Sequence, residues 1–183
     1  MRMKSKWYKK DKTRSLEETA SALGFICWQI AVERVKNMER WQYYVDLPDR
    51  TLNIIAEFLI FMAHITDRVT FDQFDQAERA IFLNALVKRL AEILQDNWQD
   101  VGDSSRSSET FITLVNQRFS DYSGFTFNSG EPSFDALRYL AKHIVDCVGD
   151  DHKKGVMEQI MEVEGLECWY FLQKGLKNLM GLT

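Results

Sequence analysis

Two histidine–aspartate pairs are the residues in this sequence best suited to do chemistry. His64 precedes Asp67 by three residues, and His143 precedes Asp146 by the same interval. In a helix this spacing puts both side chains on one face, where they can bind a metal ion together or the carboxylate can orient the imidazole. Glu57, two turns before His64, adds another oxygen ligand. These five side chains lead to one hypothesis, a divalent-metal site for zinc, manganese or iron.

The helical angles make the two pairs inequivalent. Around His143 the apolar residues Leu137, Leu140 and Ile144 form a stripe, and His143 lies to its side while Asp146 lies nearly opposite. We therefore expect His143 and Asp146 to face water. The sequence also lacks the E-x-x-H pair that is typical of di-iron helical bundles.

A second group of potential zinc ligands surrounds Cys147, with His143 before it and His152 after it. Gly149 follows, and then two aspartates. This order is also what a tight junction between two helices requires, since glycine ends one helix and carboxylates favour the start of the next. We favour the structural explanation.

The common catalytic motifs are missing from the sequence. It contains no G-x-S-x-G elbow, phosphate-binding loop, glycine-rich dinucleotide turn or H-E-x-x-H pair. The three cysteines, Cys27, Cys147 and Cys168, are far apart and form no C-x-x-C pair, which favours buried, reduced thiols. These observations lower the expectation of an enzyme without excluding one.

Charge is concentrated at the start of the chain. Residues 1–14 hold seven basic side chains and one acidic one, whereas the whole protein has a net charge of -4. We predict a basic flexible tail over 1–14, which either solubilises the protein or docks on its acidic body. Basic residues interleaved with aromatics can also bind nucleic acid or an anionic membrane surface. The candidates for nucleic-acid binding are Lys4, Lys6, Trp7, Tyr8, Lys9 and Lys10.

The elements that would position these side chains are organised around the apolar run from Leu52 to Val69. Its length and its lack of glycine and proline predict a helix that is central and very apolar. Its few polar residues fall on one narrow strip, which is either a solvent-facing edge or a polar seam inside the bundle. The strip contains Asn53, Glu57, His64, Asp67 and Arg68.

The remaining periodicity predicts an all-α fold, a single-domain bundle of about six helices over 15–183. A capping box at Ser15 starts a long N-terminal helix that runs on to Val45. A second box at Thr70–Gln73 starts the third helix, which ends near Trp98. The later helices are expected at about 108–122, 134–148 and 152–182, and a Ser-rich loop at 102–108 precedes them.

We expect a non-catalytic helical interaction protein that forms a homo-oligomer or binds a protein partner. The long first helix and its aromatic end, Trp41, Tyr43 and Tyr44, favour this reading. The alternatives are a metal-binding protein or metalloenzyme that uses the polar strip, and nucleic-acid binding through the tail. No run is long and uncharged enough to predict a transmembrane segment, and we expect a cytoplasmic protein.

Overall fold

The computed structural model describes residues 14–41, 48–128, 131–149 and 153–181. It confirms an all-α, single-domain bundle. The helices are α1 (Leu16–Arg40), α2 (Pro48–Thr70), α3 (Gln76–Asp100), α4 (Ser108–Tyr122), α5 (Phe134–Val148), α6 (Lys153–Gln159) and α7 (Gly165–Met180). A π-helical turn (Ile160–Glu164) joins α6 to α7, so these two form one continuous sixth helix. Between α4 and α5, two-residue strands β1 (Phe127–Asn128) and β2 (Glu131–Pro132) pair antiparallel.

The first helix begins as the sequence predicts. The Glu18 amide donates to Ser15 Oγ and the Ser15 amide donates to Glu18 Oε2, each at 3.2 Å, which completes the capping box. The described helix ends at Arg40, and the Trp41 amide donates to the Asn37 carbonyl at 3.2 Å. The predicted continuation to Val45 lies outside the described residues.

The predicted capping box at Thr70–Gln73 is wrong. The Thr70 hydroxyl donates to the Thr66 carbonyl at 2.8 Å, so this residue ends α2 instead of starting α3. Asp75 is the cap of α3, because its carboxylate accepts from the amides of Ala77 and Glu78 at 2.8 Å each. Glu78 in turn accepts from the Asp75 amide at 3.2 Å. The second capping box is real but lies five residues later than predicted.

Helix α2 is buried along most of its length. Every residue from Ile54 to Thr66 is buried, and the helix contacts α1, α3, α4, α5 and α7. Its largest buried side chains include Phe58 and Phe61, each with no exposed surface. The polar strip of α2 is consequently a seam inside the bundle at Glu57 and His64, which are 5% and 2% exposed.

Close packing explains the glycine at the start of α7. A Cβ on Gly165 would lie 2.7 Å from Leu137 Cδ2 and 2.9 Å from the Ile160 carbonyl oxygen. Glycine is therefore required for α7 to pack this closely on α5 while the chain leaves the π turn. Among the described residues, no helix combines the length and the apolar character needed to cross a bilayer.

Candidate functional site

A buried ion pair inside the bundle joins Glu57 of α2 to Arg118 of α4. Arg118 Nε donates to Glu57 Oε2 at 3.1 Å, and its Nη2 donates to Oε1 at 2.8 Å, which makes the pair bidentate. The two side chains are only 6% and 12% exposed. Burial opposes the charge of Arg118, but its hydrogen bond to the Glu57 carboxylate and the charge of that group leave its pKa raised. Glu57 therefore has a fixed cationic partner.

A second set of polar and aromatic contacts joins α4 to α5 through Asp121, Tyr139 and His143. The Tyr139 hydroxyl donates to the Asp121 carboxylate, and the Tyr139 ring lies edge-on to His143 with centroids 4.5 Å apart. Burial, followed by the hydrogen bond to Asp121, raises the pKa of Tyr139. Its hydroxyl stays protonated at neutral pH.

His64 occupies an aromatic environment instead of a polar one. Its ring stacks on Tyr122 with centroids 4.8 Å apart, and Phe119 and Phe127 meet it edge-on at 5.4 and 5.2 Å. Burial, and secondarily the charge of Arg68, lowers the pKa of His64 from 6.5 to about 4. His64 Nε2 is buried with no hydrogen-bond partner among the described residues. The imidazole is therefore neutral and held by ring contacts.

The depressed pKa of His64 predicts acid sensitivity. Between pH 6.5 and about 4 the unfolded chain binds a proton at His64 and the folded protein does not. The free energy of unfolding should therefore fall by about 3 kcal/mol as the pH is lowered through this window. Urea denaturation of wild type and His64→Phe at several pH values measures the effect.

His143→Phe is the matched control for this experiment. His143 also has a pKa lowered by burial, but its side chain is 16% exposed, and among the described rings it contacts that of Tyr139. The His64 variant should flatten the pH profile more than the His143 variant does. Equal profiles for wild type and His64→Phe would show that His64 does not titrate in this range.

The other predicted metal ligands have separate contacts. Asp67 Oδ1 accepts from Arg79 Nε at 2.6 Å, which ties α2 to α3. Asp146 is 59% exposed, as its helical angle predicts, and its Oδ2 lies 3.8 Å from His143 Nδ1. His143 itself is more buried than predicted because Tyr139 covers it. Across the described residues, no three His, Cys, Asp or Glu side chains are grouped to hold a metal ion.

A cleft of about 410 Å³ lies beside the buried ion pair and is lined mainly by residues of α2 and α4. Cys147 lines this cleft, and burial raises the pKa of its thiol to about 12. Cys27 and Cys168 are fully buried, and burial raises the pKa of both thiols. All three thiols are therefore protonated at neutral pH and are poor nucleophiles.

A larger groove of about 780 Å³ lies between α3 and α4 on the outside of the bundle. We call it the α3/α4 groove. Its lining is mainly apolar, and Phe71 at one end is 57% exposed. Arg79 and Lys88 are the charged residues among those that line it. The apolar side chains include Phe71, Phe74, Leu83, Val87, Ile112 and Phe119.

A second apolar surface follows the outer face of the sixth helix. Val163, Leu166 and Tyr170 are 36%, 40% and 57% exposed. Their spacing of three and four residues puts them on one side, and we call them the α7 ridge. Exposed Glu162 lies next to the start of the ridge, and exposed Lys174 lies one turn beyond its end.

Helical periodicity does not separate surface from core on α3. Ile81 and Leu83 are apolar residues of this helix, yet Ile81 is 45% exposed and Leu83 lies in the groove. An apolar face wider than the neighbouring helix leaves its edges uncovered. Only the packing of α4 on α3 shows which edge remains open.

Only one of the three residues predicted to bind a partner lies in the described part of the chain. Trp41 is 67% exposed at the end of α1. Tyr43 and Tyr44 lie outside the described residues, as do all the candidates for nucleic-acid binding in the tail. These are Lys4, Lys6, Trp7, Tyr8, Lys9 and Lys10.

Comparisons with known proteins give no relative of this chain. No protein-family model matches the chain. No curated protein and no solved structure matches it either.

Proposed function

We propose that this chain is a non-catalytic helical interaction protein that self-associates, with the α3/α4 groove of one copy receiving a helix of another. The observation that carries the proposal is the groove itself, an open apolar channel of about 780 Å³ between two helices. Grooves of this kind bind the apolar face of an amphipathic helix. Exposed apolar surface gathered in one place, unlike single scattered residues, is typical of an interaction site.

The buried polar residues support a structural role over a catalytic one. Arg118 neutralises Glu57, and Arg79 neutralises Asp67. Within the described part of the chain, His64 Nε2 has no hydrogen-bond partner, and its ring is enclosed by other rings. General acid–base catalysis needs a titrating group within reach of a substrate, whereas the two carboxylates are paired with arginines and the imidazole is enclosed in the bundle.

A second copy is the occupant that the chain itself can supply. The α7 ridge is an exposed apolar strip along one side of a helix, the kind of surface that a groove between two helices binds. Both surfaces belong to every copy, so no other protein is required for association. We also infer a cytoplasmic location, which the three free cysteines support because reduced thiols are typical of that compartment.

The test is the mass of the protein in solution. Light scattering across a range of concentrations should show a mass that rises above the 21.4 kDa of one chain. Leu83→Glu should shift the protein to monomer, because it removes an apolar side chain from the groove and adds a carboxylate that must lose water when an apolar helix binds. A mass of 21.4 kDa at every concentration would contradict the proposal.

Ile81→Glu is the matched control. Ile81 lies on the same helix and is 45% exposed, but it does not line the groove. This variant should keep the concentration-dependent mass. Circular dichroism of both variants checks that each retains its helical fold.

A further inference from the structure

We propose that the segment bound in the α3/α4 groove is the α7 ridge of a second copy, oriented antiparallel to α3. This inference rests on the proposed function, since it names the partner surface for the same groove. In this arrangement Glu162 lies near Lys88 at one end of the contact, and Lys174 lies near Asp72 and Asp75 at the other end. The supporting observations are the lengths, the apolar residues and the charges of the two surfaces.

The two surfaces match in length. On α3 the groove is lined from Gln76 to Lys88, an interval of twelve residues or about 18 Å of helix. On the sixth helix, Glu162 and Lys174 are also twelve residues apart. The charged residues that bound the ridge can therefore reach both ends of the groove at once.

Apolar contact supplies the affinity in this arrangement. Tyr170 and Leu166 are 57% and 40% exposed, and Phe71 is 57% exposed at the facing end of the groove. Removing such side chains from water contributes about 25 cal/mol per Å² of apolar area. Aromatic residues in a contact are also among those that most often dominate binding energy. The ridge supplies Tyr170, and the groove supplies Phe71, Phe74 and Phe119.

Charge selects the antiparallel orientation. Lys88 lies at one end of the groove, and the exposed carboxylates of Asp72 and Asp75 lie at the other end, beside Phe71 and Gln76. Arg79 also lies at that end, next to Phe71, but its charge is offset by the ion pair with Asp67. An antiparallel ridge puts Glu162 near Lys88 and Lys174 near the two aspartates. A parallel ridge would put like charges together at both ends, which disfavours it. The charges thus determine direction, while the apolar side chains hold the two copies together.

The contact joins two different surfaces, so it is heterologous in each copy. Two copies can satisfy both contacts by exchanging ridges, which closes a dimer, and otherwise the contact repeats from copy to copy. In either arrangement the measured mass increases with concentration. The dissociation constant of the contact is then the quantity that charge changes alter.

A charge exchange tests the orientation. Lys88→Glu and Glu162→Lys should each raise the dissociation constant roughly fivefold, because each puts like charges at one end of the contact. The double variant Lys88→Glu/Glu162→Lys should return close to the wild-type value. Light scattering or sedimentation measures all four proteins. Both residues are exposed, so each variant should keep the helical content of the wild type, which circular dichroism checks.

The controls carry the same charge reversals on α5. Arg138 and Asp135 are exposed there and lie outside both surfaces, so Arg138→Glu and Asp135→Lys should leave the dissociation constant unchanged. Single variants that weaken association without recovery in the double variant would overturn the antiparallel pairing.

A ridge variant separates this inference from the proposed function. Leu166→Glu should abolish association as Leu83→Glu does. If Leu83→Glu alone abolishes it, the groove is an interface but the α7 ridge is not its occupant, and only this inference fails. If the wild-type protein is monomeric at every concentration, the proposed function fails with it.

Discussion

Replacing Arg118 by leucine should lower the free energy of unfolding by about 3 to 5 kcal/mol, because it leaves a buried carboxylate without a counter-charge. Glu57 is 5% exposed, and Arg118 makes the bidentate contact to it at 2.8 and 3.1 Å. The residues of α2 on either side of Glu57, from Ile54 to Ile60, are all buried, so the carboxylate would lose its counter-charge in a site with little access to water. Urea denaturation measures the change as a lower midpoint with the same slope.

The reverse truncation should cost less. Glu57→Leu leaves a guanidinium whose side chain is already 12% exposed at the edge of the cleft, so it can be hydrated. The double variant Glu57→Leu/Arg118→Leu removes both charges and should be closer to wild type than Arg118→Leu is. If the two single effects simply add, the ion pair contributes no coupling and the explanation is wrong.

Arg40→Leu is the control for the loss of an arginine as such. Arg40 Nη2 lies 3.3 Å from Glu33 Oε1, but the two side chains are 64% and 45% exposed. Exposed pairs of this kind typically contribute about 0 to 1 kcal/mol. The contrast between Arg40 and Arg118 isolates burial as the cause of the larger effect.

Local sequence signals predict a helix end correctly where the residues that determine it lie within one turn. Ser133 Oγ accepts from the Ala136 amide at 3.2 Å, and Gly149 ends α5 with a φ of 93°, so this helix has the bounds 134–148 expected from the sequence. The prediction at Thr70 failed because two cap residues compete there. Asp75 offers a carboxylate to two amides, whereas the Thr70 hydroxyl is already bonded inside α2.

The burial and the partners of Glu57 and His64 depend on residues that are distant in the chain, and local sequence patterns do not predict them. Periodicity puts Glu57 and His64 on one strip of α2, but the strip becomes a seam because α4 covers it. The partner of Glu57 is sixty-one residues away, and the rings around His64 come from α4 and β1. The metal hypothesis treated the strip as a set of ligands without such partners. No local pattern indicates that an arginine on another helix will neutralise the carboxylate.

The same limit applies to Arg34 and Glu164, which sequence reasoning did not select. Arg34 lies on the apolar side of α1, and Glu164 interrupts the apolar stripe of the sixth helix inside the π turn. Their charges are compatible with burial because the two helices bring them together. Arg34 Nη1 lies 3.3 Å from Glu164 Oε2, and the side chains are 6% and 0% exposed.

Arg34→Leu should therefore destabilise the protein by about 3 to 5 kcal/mol. The variant removes the counter-charge of Glu164, whose remaining described partner is the Gln159 side chain, which donates to Oε1 at 2.9 Å. It also removes the guanidinium that lies 5.4 Å from the centre of the Phe171 ring. Because α1 and the sixth helix are joined here, hydrogen exchange should accelerate around the π turn more than in α4.

Glu164→Leu should cost less than Arg34→Leu, because Arg34 contacts Glu167 as well and keeps that partner. The Glu167 side chain is 44% exposed, so the surviving pair is only partly shielded from water. Urea denaturation of both variants, with Arg40→Leu as the exposed control, measures the difference. A larger loss of stability in Glu164→Leu would mean that the π turn depends on the glutamate itself, through Gln159, more than on its charge partner in α1.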